Sequence, residues 1–98
     1  MIIRKGEATA IGSLITTISG PFNLADYTVK FRLTDIKGNT LLIKEDGIVR
    51  NEEDNVVVVV LSGAETATLK GLCFAMFELW ANGDMVLSNE VEQLTVID

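Results

Sequence analysis

Hydrophobic and polar residues alternate most cleanly in "YTVKFRLTD", where Tyr27, Val29, Phe31 and Leu33 fall on one side and Thr28, Lys30, Arg32 and Thr34 on the other. A period of two belongs to a strand with one buried face, so the first set predicts core and the second the outside. "TLLIKED" and "GIVRN" predict a strand interrupted or turned at Asp46-Gly47. "VVVVVL" predicts another, whose five valines favour extension but set no register. "LCFAMFELW" and "MVLSNEVEQLTVID" flank Asn82-Gly83, a dipeptide that tolerates the positive φ of a two-residue hairpin turn. The second of these strands is expected to bend near Ser88-Asn89. The N-terminal "ATAIGSLITTIS" is β-like but alternates poorly, which leaves open whether Ile11 and Ile15 or Leu14 and Ile18 point inward.

Turn signals recur at short intervals: Gly20-Pro21, Lys37-Gly38-Asn39, Asp46-Gly47, "NEEDN" at Asn51 to Asn55, and Asn82-Gly83. Short strands at such spacing predict an all-β domain, either a two-sheet sandwich of about seven strands or a small closed barrel. The sandwich is the favoured form. One short helical turn is expected in "SGAETATLKG", with Ser62 as N-cap, Glu65 three residues later and Gly71 closing the end.

Composition narrows the picture. At 98 residues, the chain is expected to form a single domain over residues 1–98. With 48% hydrophobic and 22% charged residues it has a globular make-up, and the net charge of -6 disfavours nucleic acid as a partner. The charged "MIIRKGEATA" start does not read as a secretory signal, and the aliphatic run Val56 to Leu61 is too short to cross a bilayer as a helix. Neither a membrane nor a disulfide is expected, since Cys73 is the only cysteine.

The chemistry-bearing residues point away from catalysis. Without histidine the chain lacks the commonest general base and zinc ligand, and no motif surrounds its serines. Cys73, within an apolar strand, predicts a buried thiol. Glu52, Glu53 and Asp54 lack the ligand spacing of a calcium loop. They predict a solvated turn whose charges guard the valine run against edge aggregation. No enzyme, cofactor or metal site is expected.

Three stretches, "NLADYTVKFRLTDIKGN" (Asn23 to Asn39), "LSGAETATLKG" (Leu61 to Gly71) and "FELWANGDMVLSNEVEQLTV" (Phe77 to Val96), resemble the immunoglobulin-like N-terminal domain of phage upper baseplate proteins. Leu24, Val29, Phe31, Asp35, Gly38, Leu61, Glu65, Thr66, Leu69 and Gly71 carry the likeness. The chain departs from that pattern at Cys73 and Ala75, where inward aromatics are frequent. The resemblance implies an immunoglobulin-like sandwich that serves as a noncatalytic assembly or adaptor module of a phage or prophage tail or baseplate. It would be made in the host cytoplasm and carried in the virion, with other tail proteins as partners.

The register implied by that resemblance turns Cys73, Ala75, Phe77 and Leu79 inward and Leu72, Phe74, Met76, Glu78 and Trp80 outward. Val57, Val59 and Leu61 then point in, and Val56, Val58 and Val60 out. Burying an unpaired carboxylate costs several kcal/mol, which independently predicts that the Glu78 face is the wet one. Phe74, Met76, Glu78, Trp80 and Val58 are therefore the candidate partner-binding residues, expected to support a homo-oligomer or a contact with another tail protein. In an alternative reading the chain is a carbohydrate-binding module, with Trp80 and Phe74 stacking on sugar rings and Glu78 or Asp84 accepting hydroxyl hydrogen bonds.

Overall fold

The structure is a computed structural model that describes residues 1–16 and 23–98, the side chains of 90 and 91 excepted. Eight strands form among the described residues: β1 (Ile2–Arg4), β2 (Thr9–Leu14), β3 (Thr28–Thr34), β4 (Thr40–Lys44), β5 (Ile48–Asn51), β6 (Val56–Leu61), β7 (Gly71–Ala81) and β8 (Asp84–Ile97). They build a five-stranded sheet in the order β1-β8-β7-β3-β4 and a three-stranded sheet in the order β2-β6-β5. The two-sheet sandwich is the form adopted. About seven strands were expected; β1 (Ile2–Arg4) was not foreseen, and the stretch broken at Asp46-Gly47 is two strands in different sheets. Gly47, at φ 70°, turns the chain from one layer to the other.

Between the layers lies a single buried cluster. The five-stranded sheet contributes Val29, Phe31, Leu33, Cys73, Ala75, Phe77, Leu79, Leu94 and Val96; the three-stranded sheet contributes Ile11, Val57, Val59 and Leu61. Phe31 and Phe77 meet within it as a tilted pair, with ring centroids 5.2 Å apart and planes at 58°, inside the range of separations at which aromatic rings attract. The inward residues read from the sequence therefore hold for β3, β6 and β7, although Thr34, expected on the outside of β3, is buried. The N-terminal ambiguity resolves toward Ile11 and Ile15, which are buried, while Leu14 is exposed; Ile18 lies outside the described residues.

Asn82 and Gly83 both have positive φ, as a two-residue hairpin turn of this hand requires. In β8 the pairing with β7 slips twice, between Ala75 and Met76 and between Leu79 and Trp80. The irregularities thus flank Ser88-Asn89, where a single bend was expected.

The helical turn forms as α1 (Gly63–Thr66) with Ser62 as N-cap in a reciprocal capping box, but it ends at Ala67, and Gly71, expected to close it, instead opens β7. Ser62 Oγ accepts from the Glu65 backbone N–H at 3.1 Å, and Glu65 Oε1 accepts from the Ser62 N–H at 2.9 Å. Thr66, fully buried, accepts from the Gly6 N–H at 3.1 Å and donates to the Glu7 carbonyl at 2.9 Å. Gly63 lies so close to Gly6 that a Cβ there would sit 2.5 Å from its carbonyl oxygen. The "LSGAETATLKG" segment is thus a structural clamp between α1 and the β1–β2 turn. A second helical turn, a 3-10 turn over Leu24–Asp26 capped by Asn23, was not anticipated.

Candidate interaction surfaces

The outward side of β7 is built against β3, whose register places Thr28 beside Trp80, Lys30 beside Glu78, Arg32 beside Met76 and Thr34 beside Phe74. Direct cross-strand neighbours share a face, so all four β7 side chains point away from the core, as the predicted register requires. Their exposure differs from expectation. Phe74, Met76 and Trp80 are half-buried, and Glu78, expected in water, is 4% exposed.

The physical reason is that the carboxylate is not unpaired. Arg32 Nε donates to Glu78 Oε2 at 2.8 Å, and Trp80 Nε1 donates to Oε1 at 3.2 Å. Arg32 also donates through Nη1 to Thr40 Oγ1 at 2.8 Å. Lys30 Nζ stands 4.1 Å from the Trp80 ring centroid while pairing with Glu45 at 3.0 Å. The cation over the ring and the fork on the carboxylate convert this face into an interlocked layer of polar heads and apolar stems. Solvation was predicted for Glu78 because β7 carries no other charge; its partner comes from the adjacent strand.

The outer face of the three-stranded sheet is different. The pairs Ala10–Val60, Gly12–Val58 and Leu14–Val56 join β2 to β6, and Val49–Val58 and Asn51–Val56 join β5 to β6. Leu14 is 58% exposed, Val49 66% and Val60 48%, with Val56 and Val58 half-buried beside them. A Cβ on Gly12 would meet Val58 Cγ2 at 3.3 Å, so Val58 leans across the glycine and flattens the surface. The cation of β5, Arg50, donates to the Leu24 carbonyl at 2.6 Å, and Lys44 is held by the Val60 carbonyl and Glu65, both at 2.9 Å. The face formed by these residues carries no charged side chain. Of the candidate residues only Val58 belongs to it. Leu14 and Val49 were missed because the N-terminal register was open and "GIVRN" is too short to assign.

Other candidates are structural. Cys73 is buried and its thiol is pushed up by that burial. Glu52, Glu53 and Asp54 form an exposed turn, with Asp54 accepting from Asn51 Nδ2 at 3.0 Å. Among the described residues there is no cluster suited to holding a metal ion, and no helix long and apolar enough to cross a membrane.

No known protein family matches the chain, and neither does any curated protein. Among solved structures, the chain is similar to the endo-β-1,4-mannanase from Thermotoga petrophila, with a TM-score of 0.59 and 11% identity. The likeness covers 98% of this chain and 17% of that chain. At that identity it shows the sandwich fold alone.

Proposed function

We propose that the chain is a noncatalytic, immunoglobulin-like module that works by protein–protein contact, as an assembly or adaptor component of a phage or prophage tail or baseplate. The observation that carries the contact role is the charge-free outer face around Val58, since soluble chains rarely leave a contiguous apolar patch without a use. The tail setting is supported by the sequence resemblance. Lys30 over the Trp80 ring and Arg32 on Glu78 already occupy part of the Phe74, Met76 and Trp80 face, which favours the three-stranded sheet as the working contact. Mass spectrometry of gradient-purified phage particles from the source strain tests the setting. The chain should co-purify at fixed stoichiometry with tail proteins, and particles that lack it would overturn the proposal.

A carbohydrate-binding module is the second reading, raised by the fold likeness to part of a mannanase. The geometry around Trp80 and Glu78 weighs against it, because Lys30 occupies the ring face and Arg32 the carboxylate. Titration with β-1,4-mannan oligosaccharides, followed by the emission of Trp80, should give no saturable change. A saturable change abolished by Trp80→Ala would favour sugar recognition.

A further inference from the structure

We infer that the free edge of β2 takes up an added antiparallel strand: an extended, uncharged segment of another protein that sets a large apolar or aromatic residue opposite Gly12. The inference rests on the reading of the chain as a contact module and names the edge, and the backbone pairing, through which that contact is made.

β2 is the outermost strand of its sheet and pairs with β6 alone. The Ile15 N–H donates to the Asn55 carbonyl at 2.8 Å, in step with the Leu14–Val56 pair. Hydrogen-bonded pairs alternate along an antiparallel ladder, so Thr9, Ile11, Ser13 and Ile15 turn their backbone groups toward β6. Ala10, Gly12 and Leu14 turn theirs the other way. All three are exposed, and among the described residues those groups find no partner beyond the Ser13 hydroxyl, which donates to the Leu14 carbonyl at 3.3 Å. A row of donors and acceptors that repeats about every 6.8 Å is matched by another extended backbone.

The other edges are blunted. β1 is three residues long, and β5 is four and carries Arg50. β4 slips against β3 between Leu33 and Thr34 and ends in Lys44, and β8, open where β1 does not reach, slips twice against β7. Brevity, charge and bulges are the means by which sheets avoid strand addition. β2 has none of them: Thr9–Leu14 is uncharged, free of proline and paired with β6 in unbroken register.

Gly12 selects the partner. Between Ala10 and Leu14 it leaves the outer side of the edge without a side chain, next to Val58 on β6. A large side chain directly across from a glycine on an edge strand fills such a gap. A second copy of the chain does not. The symmetric register that uses all three residues sets Ala10 against Leu14 and Gly12 against Gly12, so the gap meets another gap, and every other symmetric register pairs fewer of them. Each copy also brings a net charge of -6.

Residue-by-residue amide exchange, light scattering and fluorescence anisotropy with synthetic strands test the inference. In the chain alone, which should be monomeric, the Ala10, Gly12 and Leu14 amides should exchange far faster than those of Ile11 and Ser13. A peptide of about seven residues, alternating threonine and valine with phenylalanine at its centre, should bind and slow exchange at Ala10, Gly12 and Leu14. Glycine at the centre should weaken binding about fivefold, the upper end of what a cross-strand pair contributes. N-methylation of the central residue and of those two positions away removes the amides that face β2 and should abolish binding, whereas methylation of the intervening amides should not. Ala10→Pro takes away one edge donor, leaves the ladder to β6 intact and should abolish binding as well. Should that variant fail to fold, the two methylated peptides, which leave the chain unaltered, still decide. Slow exchange at all three amides in the free chain, no binding of the phenylalanine peptide, equal binding of the two methylated peptides, binding to a folded Ala10→Pro chain, or a dimer would each overturn the inference. None of these outcomes bears on whether the chain is present in phage particles, which remains the separate test of the tail setting.

Discussion

Arg32 on β3 and Glu78 on β7 lie side by side on the outer face of the five-stranded sheet, with Nε 2.8 Å from the carboxylate and Glu78 almost sealed from solvent. Removing one partner strands the other. Arg32→Met should therefore cost about 2 kcal/mol in urea denaturation, below the figure for a fully dry pair because part of the guanidinium meets water. The double change Arg32→Met/Glu78→Met should recover most of the loss. A double variant as unstable as the sum of the two single changes would show that the pair is not coupled.

The α1 clamp should tolerate little. Gly63→Ala forces a methyl group into the Gly6 carbonyl and should cost about 2 kcal/mol. Thr66→Val, nearly the same shape, leaves the Gly6 N–H and Glu7 carbonyl without their partner and should cost a similar amount. Ala64→Ser, exposed on the same turn, should change stability by less than about 0.5 kcal/mol. Thermal or urea melts of the three variants separate these outcomes.

Stability should fall on acidification, in part through Glu65. The Lys44 ammonium, then the Ser62 N–H, hold its carboxyl below the ordinary 4.5. Asn39 does the same to Asp35. A carboxyl lowered in the folded state contributes stability that is complete above its unfolded value and disappears as pH drops through the folded one. Glu65→Gln should accordingly give a shallower loss of stability below the ordinary carboxylate range than the native chain shows, as read from urea midpoints at a series of pH values. An unchanged acid limb would mean that the Lys44–Glu65 pair adds nothing.

Cys73 should resist thiol reagents in the native chain and react at the rate of a free thiol in denaturant. Its side chain is buried and its pKa is raised, so the thiolate is scarce as well as shielded. Colorimetric thiol titration with and without urea checks this, and fast native labelling would place Cys73 at an opening in the sandwich.

How much of this was readable beforehand depended on what each segment had to satisfy. Strands β3 and β7 announce their inward residues because one face packs against the other sheet and alternation must follow. The capping box at Ser62 and the hairpin at Asn82-Gly83 are local, so their residues are sufficient signals. The fate of Glu78 was not readable, since the covering Arg32 is 46 residues away and only strand pairing brings it near. The apolar face around Val58 was half-readable for the same reason. The valine run is visible, but that Leu14 and Val49 lie on the same side is a matter of sheet order.

The pairing of β1 with β8 has a kinetic consequence. Ile2 lies opposite Thr95 and Arg4 opposite Ile97 in a parallel ladder, so the most N-terminal strand described here gains its neighbour only when the most C-terminal one arrives. Closing so large a loop is entropically slow. The strand that must wait is β1, whose Ile3, buried in the finished core, stays uncovered until that rung is laid.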